Sequence, residues 1–216
     1  MKNQEIFSVF AVVLSFLSRI FLQPADKTIM KNLKKEDLLS HWPLPGDSIT
    51  REETNRLKSF IQHWTPACLA EMTLDYTRLF TGLEKTLAPP YASVYLGRER
   101  IVFDAETLEV RGWYRRYGLK SRHRHNEPDD HIGLELSFLA HLCRLGAEAD
   151  EFSRRESLLI DMHRFLSQHV MTWVPDFFAL VKKHAETPFY TGWAYLTEET
   201  VKSLADFVSF LQTHEA

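Results

Sequence analysis

Apolar residues recur at helical spacing along nearly the whole chain, beginning at the N-terminus. The largest apolar residues of the first stretch, residues 6–22, share one helical face: Phe10, Val13, Leu14, Leu17 and Phe21. Pro24 predicts the end of this helix. A secretory leader or a membrane-spanning helix would have a similar length. However, the run contains three serines and Arg19, and no small-residue cleavage site follows it. The pattern therefore favours a buried first core helix.

The same period predicts helices through the rest of the chain. In the first half they cover residues 26–39, 50–64, 67–79 and 104–117. Thr50 and Asp104 are the expected N-caps of the second and fourth of these helices, and Gly118 follows the C-terminus of the fourth. In the second half they cover residues 127–145 and 149–173, with two more starting at Pro175 and at Thr187–Pro188. Residues 91–103 alternate as strands do, but no other segment supplies a sheet, so the prediction there is a structured loop.

A polar segment of sequence KSRHRHN, residues 120–126, separates the two groups of helices. It is typical of a linker, and it divides the chain into predicted subdomains of residues 1–120 and 121–216. The expected fold is all-α, with two packed helical subdomains joined by a polar hinge.

Composition narrows the class of protein. The 216 residues are 44% hydrophobic and 25% charged, which is typical of a globular chain. Lys and Arg number 26 against 29 Asp and Glu, for a net charge of −3, so nucleic acid is not expected as the main partner. Cys68 and Cys143 lie far apart without a CxxC motif, which argues against a disulfide framework or a thiolate zinc site and fits a reducing compartment.

Candidate chemistry concentrates in the polar cluster of residues 123–131, since the sequence contains no phosphate-binding loop and no nucleophile elbow. Read as a metal site of a hydrolase, the available ligands are His123, His125, Asp130, His131 and Glu135. Arg122 and Arg124 interleave with them and would repel a dication. We therefore expect no metal, and we keep a metal-dependent hydrolase as the alternative.

Read as structure, the cluster resembles a helix start. Asn126 or Glu127 would cap, Pro128 would lie in the first turn, and Asp129 and Asp130 would lie near the positive end of the helix dipole.

His131 fits a helix start less well, because it precedes an otherwise apolar helix and needs a hydrogen-bond partner or access to solvent. With Asp130 and Glu135 it predicts an accessible acidic pocket. Gly133 inside a helix indicates close approach of the backbone by a neighbouring helix or a bound peptide.

Aromatic residues form a second candidate set: Tyr91, Tyr95, Trp113, Tyr114 and Tyr117. Such residues are enriched at peptide-binding surfaces and are also ordinary residues at the edge of a core. His169 lies on an apolar helical face, where a hydrogen-bonded core histidine is the favoured interpretation.

Several segments in order resemble the TorD/DmsD family of redox-enzyme maturation chaperones. The segment EPDDHIGLELSFLAHL, residues 127–142, is similar to the family's E-P-x-D-H signature. DYTRLFTG (75–82), PPYASVYL (89–96), WYRRYGL (113–119), FLSQHVMTWVPDF (165–177) and AETPFY (185–190) resemble further blocks. The basic stretch 122–125 departs from that pattern.

The resemblance implies a cytoplasmic, all-helical chaperone without a cofactor and without membrane insertion. It would bind the twin-arginine leader and the apo catalytic subunit of a molybdopterin-dependent reductase until cofactor insertion is complete, and so delay export. Carried over by motif, the peptide-binding residues are Tyr91, Ser93, Tyr95, Glu127, Pro128, Asp130 and His131. Two questions stay open in the sequence. Guanine-nucleotide binding is proposed for this type of chaperone, but no phosphate loop is visible here, and the polar hinge between the halves is compatible with a domain-swapped homodimer as well as with a monomer.

The chemistry of a twin-arginine leader fits these residues. Two guanidinium groups followed by an apolar segment require carboxylates beside an apolar groove. Asp129, Asp130 and Glu135 are the predicted carboxylates, and Tyr91 and Tyr95 lie among the predicted apolar contacts. Histidine beside carboxylates predicts pH-dependent binding.

Overall fold

Helices make up nearly all of the secondary structure in the computed structural model, which describes residues 3–44, 46–82, 86–97, 102, 104–119, 127–149 and 152–214. Their bounds are α1 Asn3–Leu22, α2 Lys27–Glu36, α3 Ser48–Gln62, α4 Cys68–Tyr76, α5 Ala92–Leu96, α6 Ala105–Arg116, α7 Ile132–Glu148, α8 Phe152–Phe165, α9 Met171–His184 and α10 Pro188–His214. A 3₁₀ turn covers Leu38–His41, and two π-helical turns cover Thr77–Thr81 and Leu166–Val170. No strand occurs within these ranges, and the predicted all-α fold is confirmed.

Helix caps follow the local sequence in most places. The Asp26 carboxylate accepts from the Ile29 amide at 2.8 Å and starts α2, and Asp104 caps α6 as predicted. Gly118 follows α6 with a φ of 68°, a left-handed conformation that favours glycine. The predicted Thr50 cap is wrong, because Asp47 accepts from the Thr50 amide at 2.6 Å and α3 begins at Ser48.

Two other predicted boundaries are wrong. Residues 92–96 of the predicted structured loop form the short helix α5. Pro175 does not start a helix, since it lies inside α9, which continues from the π-helical turn 166–170. The predicted start of the last helix at Pro188 is confirmed.

The described chain forms two compact units. Unit 1 comprises Met1–Leu22, Pro90–Pro175 and Val201–Ala216, and unit 2 comprises Gln23–Pro89 and Asp176–Thr200. Both units draw on both of the predicted halves, 1–120 and 121–216. The hinge itself, residues 120–126, lies outside the described residues and stays a prediction.

The core of unit 1 is the packing of α1 against α7. A Cβ atom built on Gly133 would lie 2.5 Å from Leu22 Cγ, and one on Gly146 would lie 3.1 Å from the Phe7 ring. The Ser18 hydroxyl donates to the Gly133 carbonyl at 2.6 Å. Glycine is therefore required for close approach by a neighbouring helix, one of the two explanations that the sequence left open for Gly133.

The apolar face of α1 is buried, including Phe10, Leu14 and Leu17. The predicted first core helix is thus confirmed in its C-terminal end and its buried face, and it begins at Asn3 rather than at residue 6. By length and composition alone, α1 would also be long enough to cross a membrane.

Unit 2 is organised around a buried carboxylate. Asp75 on α4 is almost completely buried and accepts from the amide and the hydroxyl of Thr187, at 2.8 and 2.7 Å, and from the Glu186 amide. These bonds hold the start of α10 to α4. Tyr76, Phe80 and Tyr190 pack as an aromatic cluster beside them.

Candidate functional site

Two motif segments that lie far apart in sequence meet in unit 1. Tyr91 and His131 form an isolated antiparallel bridge. The Ile132 amide donates to the Pro90 carbonyl at 2.8 Å, and the Ala92 amide donates to the Asp130 carbonyl at 3.1 Å. The PPYASVYL and EPDDH segments therefore form one local structure.

Asp130 holds α5 and α6 to this bridge. One carboxylate oxygen accepts from the Ser93 amide at 2.8 Å, near the N-terminus of α5, and the other accepts from the Thr107 hydroxyl at 2.7 Å. Asp130 has no solvent-exposed surface. Its carboxylate thus acts as a helix cap supplied by a distant segment.

His131 is the N-cap of α7, which corrects the expected cap at Asn126 or Glu127 and the expected place of Pro128 in the first turn. Its Nδ1 accepts from the Gly133 amide at 3.0 Å, and the helix begins at Ile132. Pro128 is buried and precedes the helix. A capping imidazole satisfies an amide that the helix itself leaves without a partner.

The accessible pocket predicted around His131 is also corrected, because only 3% of this residue is exposed. Burial lowers the pKa of His131 to about 3, so its ring stays neutral at physiological pH. Tyr91 packs edge-on against the ring and donates its hydroxyl to Glu127 at 2.8 Å.

Glu135 lies in the interior one turn further along α7. One oxygen accepts from the Trp173 indole at 3.2 Å, and the other has no hydrogen-bond partner among the described residues. Burial, with the charge of Asp130 as a second cause, raises the pKa of Glu135 well above its usual value. Its surroundings therefore favour the protonated, uncharged form of the side chain.

Asp129 also has its partners within the protein. Its carboxylate pairs with Arg111, and its carbonyl accepts from the Tyr114 hydroxyl at 2.8 Å. Burial is the main cause that raises the pKa of Tyr114, which keeps this phenol protonated as a donor.

The nine predicted site residues thus divide into a buried group and a partly exposed one. The buried residues are Ser93, Pro128, Asp129, Asp130, His131 and Glu135. The partly exposed residues are Tyr91, Tyr95 and Glu127. Tyr95 packs on Trp173 with ring centroids 5.4 Å apart. The side of this arrangement that solvent reaches is mainly aromatic.

No group of three or more His, Cys, Asp or Glu side chains that could hold a metal is present in the described ranges. Two of the five candidate ligands, His123 and His125, lie outside those ranges.

A surface pocket of about 330 Å³ on α6 was missed by the sequence reasoning. Glu109, Gly112, Trp113, Arg116 and His169 line it. The Trp113 indole donates to Nε2 of His169 at 2.9 Å, which gives His169 the hydrogen bond that its place on an apolar face required. The available signal was the spacing 109, 112, 113 and 116, which places four residues on one helical face.

Comparisons with known proteins agree with the motif segments. Residues 46–179 match the family described as nitrate reductase delta subunit. The Tat proofreading chaperone DmsD of Salmonella typhi is 27% identical over 200 residues, covering 89% of this chain and 87% of that protein. The chaperone protein TorD of Photobacterium profundum is 33% identical over 123 residues, 56% of each chain.

A solved structure shares the fold. A redox enzyme maturation protein from Archaeoglobus fulgidus superposes with a TM-score of 0.51 at 18% identity, over 97% of this chain and 94% of that one.

Proposed function

Since the chain belongs to the nitrate reductase delta subunit family and, with TorD and DmsD, to the redox-enzyme maturation chaperones, we propose that it binds the twin-arginine leader of a molybdenum reductase. In this role it holds the apo catalytic subunit in the cytoplasm until the cofactor is inserted, and export waits for its release. The protein acts as a binding partner in this scheme and performs no chemistry of its own.

The observation that carries the proposal is the bridge between Tyr91 and His131. It joins two segments that resemble blocks of the family, and it leaves Tyr91 and Tyr95 partly exposed beside them. Amphipathic aromatic side chains of this kind suit the apolar part of a leader peptide.

The buried polar residues support the same surface from beneath. Asp130 fixes the start of α5, His131 caps α7, and Glu135 holds Trp173, on which Tyr95 packs. Because their carboxylates and imidazole face the interior, we assign them to shaping the peptide-binding surface and assign its direct contacts to the tyrosines.

Calorimetric titration tests the proposal. The leader peptides of the molybdenum reductases encoded in the same genome are titrated into the full chain, together with copies in which both arginines are glutamine. We expect one leader to bind and its glutamine copy to bind more weakly. Absence of binding by every leader would contradict the proposed function.

A matched pair of variants tests whether the surface beside the Tyr91–His131 bridge binds the leader. Tyr95→Ala removes a partly exposed ring next to the bridge, whereas Phe210→Ala removes an exposed ring on α10. We expect Tyr95→Ala to weaken leader binding by about tenfold, and Phe210→Ala to leave it unchanged.

A further inference from the structure

The carboxylates that the sequence assigned to the arginines of a bound leader are not available to them. Asp130 has two internal hydrogen bonds, Asp129 pairs with Arg111, and Glu135 is completely buried and accepts from the Trp173 indole. The remaining carboxylate of this surface, Glu127, already accepts from the Tyr91 hydroxyl at 2.8 Å. A leader with two arginines therefore needs a further carboxylate in unit 1.

The α6 pocket supplies one. Glu109 is exposed at its rim and has no cationic partner among the described residues, while the indole of Trp113 forms an aromatic wall held in place by its bond to His169. A carboxylate beside an aromatic ring can take a guanidinium by ion pairing and by stacking.

The other charges around the pocket are compensated. Arg116 pairs with Asp161 at 3.1 Å and lies over the Trp113 ring, with its guanidinium carbon 5.6 Å from the ring centroid. Burial lowers the pKa of His169, with Glu109 acting in the opposite sense as the smaller cause, so the imidazole is neutral at pH 7. The carboxylate of Glu109 is the charge that remains for a ligand.

The pocket and the surface assigned to the leader belong to the same unit. His169 forms one wall of the pocket, and the buried Trp173, on which Tyr95 packs, follows His169 by about one helical turn. One helical segment of unit 1 therefore supports both the pocket and Tyr95. The π-helical turn at 166–170, a feature often found at functional sites, carries His169 to this position.

We propose that the pocket formed by Glu109, Gly112, Trp113, Arg116 and His169 receives an arginine side chain of the bound leader, paired with Glu109 and in contact with the part of the Trp113 indole that Arg116 leaves open. This inference rests on the proposed function and adds the place where one guanidinium binds.

Gly112 provides a test that leaves the fold intact. A Cβ atom on Gly112 would meet nothing within 4 Å, and the residue lies in the interior of α6, where alanine or leucine favours helix. Gly112→Leu therefore fills the pocket, and Ala105→Leu is the matched control, since it adds the same side chain at an exposed position of α6 outside the pocket. We expect Gly112→Leu to weaken binding of the best leader by at least fivefold and Ala105→Leu to leave it within twofold.

A double-mutant cycle identifies the contact. Glu109→Gln is compared with the wild type for the leader and for copies in which each arginine in turn is glutamine, with Glu156→Gln, an exposed carboxylate on α8, as the control. We expect Glu109→Gln to weaken the native leader about fivefold and to have no effect on one of the glutamine copies, because that contact is already lost.

The outcomes separate the two proposals. A leader that binds equally well to the wild type, Gly112→Leu and Glu109→Gln overturns the pocket and leaves the proposed function standing. Effects of Glu109→Gln that are the same for every copy of the leader overturn the arginine contact. A wild type that binds no leader overturns both.

Discussion

Single residues in the EPDDH segment act through hydrogen bonds inside the protein. Asp130 accepts from the distant residues Ser93 and Thr107, whereas His131 accepts from Gly133 and caps its own helix. A buried carboxylate with two hydrogen-bond donors contributes more to stability than an exposed carboxylate does, because loss of either bond leaves a buried polar group without a partner. Substitutions of these residues should therefore distinguish a role in shaping the surface from a direct charge contact with the leader.

The first prediction concerns Asp130. Asparagine keeps an acceptor for the Ser93 amide and can donate its NH₂ to the Thr107 hydroxyl, so Asp130→Asn should cost about 1 kcal/mol of stability or less and leave leader affinity near that of the wild type. Asp130→Ala removes both bonds and should cost about 2–3 kcal/mol and weaken leader binding. Urea unfolding and calorimetric titration of both variants measure this.

A direct contact between Asp130 and an arginine would give the opposite order. In that case Asp130→Asn would lose affinity as strongly as Asp130→Ala.

The second prediction concerns the pH dependence at His131. The folded-state pKa of about 3 lies below the usual value of 6.5, so the unfolded chain binds the proton first and stability falls as the pH drops below 6.5. Between pH 7 and pH 5 this group should cost the wild type about 2 kcal/mol. His131→Asn keeps a capping acceptor without the titration, so its unfolding free energy should fall less over the same range.

Glu135 changes the stability with pH in the opposite direction, and it is present in both the wild type and His131→Asn. Because its pKa is raised in the fold, its contribution to stability is present at low pH and is lost as the pH rises above 4.5. It therefore cancels in the difference between wild type and His131→Asn. Parallel stability curves from pH 7 to pH 5 would contradict the assignment.

Helices are joined here by close approach of their backbones and by caps from other segments. Gly133 and Gly146 on α7 leave room for Leu22 and Phe7 of α1, and Asp75 on α4 holds the start of α10. Such contacts tolerate little added volume, because a packed interior cannot expand at one point.

The third prediction compares two glycines. A Cβ on Gly133 would lie 2.5 Å from Leu22 Cγ and 3.0 Å from the Ser18 carbonyl oxygen, so Gly133→Ala should destabilise the protein by about 1–3 kcal/mol despite the better helix propensity of alanine. Gly112→Ala meets nothing within 4 Å and should stabilise it by about 0.5–1 kcal/mol. Denaturant unfolding of both variants measures the contrast. Equal stabilities would show that α1 and α7 separate at little cost.

At the scale of the whole molecule, chain order and compact units do not coincide. Unit 1 takes residues from both ends and the middle of the chain, and unit 2 is built from two separate segments. The helix α1 and its partner α7 lie on opposite sides of the predicted hinge.

The fourth prediction follows from that arrangement. Fragments of residues 1–120 and 121–216, produced separately, should each lose most of the helical circular dichroism of the full chain, because α1 and α7 each lose the partner that buries their apolar faces. The full chain should melt cooperatively under the same conditions. A fragment that melts as cooperatively as the full chain would support two sequential subdomains instead.

The sequence by itself determined the helical class, the first core helix, the Asp104 cap with Gly118 at the other end of α6, and the family. These are local properties, since apolar period, capping side chains and short motifs depend on neighbours within a few residues. The same reasoning placed the N-cap of α3 at Thr50 instead of Asp47. Both residue types are suitable N-caps and lie only three positions apart, so the local pattern does not distinguish them.

Only the tertiary structure decided where the polar residues of the EPDDH segment point. In the sequence, Asp129, Asp130 and Glu135 are charged and are expected at the surface, as charged residues usually are. Their burial depends on partners that the fold brings from elsewhere: the guanidinium of Arg111 for Asp129, the Ser93 amide and Thr107 hydroxyl for Asp130, and the Trp173 indole for Glu135. Partners this distant in sequence leave no local pattern, so the direction of these side chains follows from the fold.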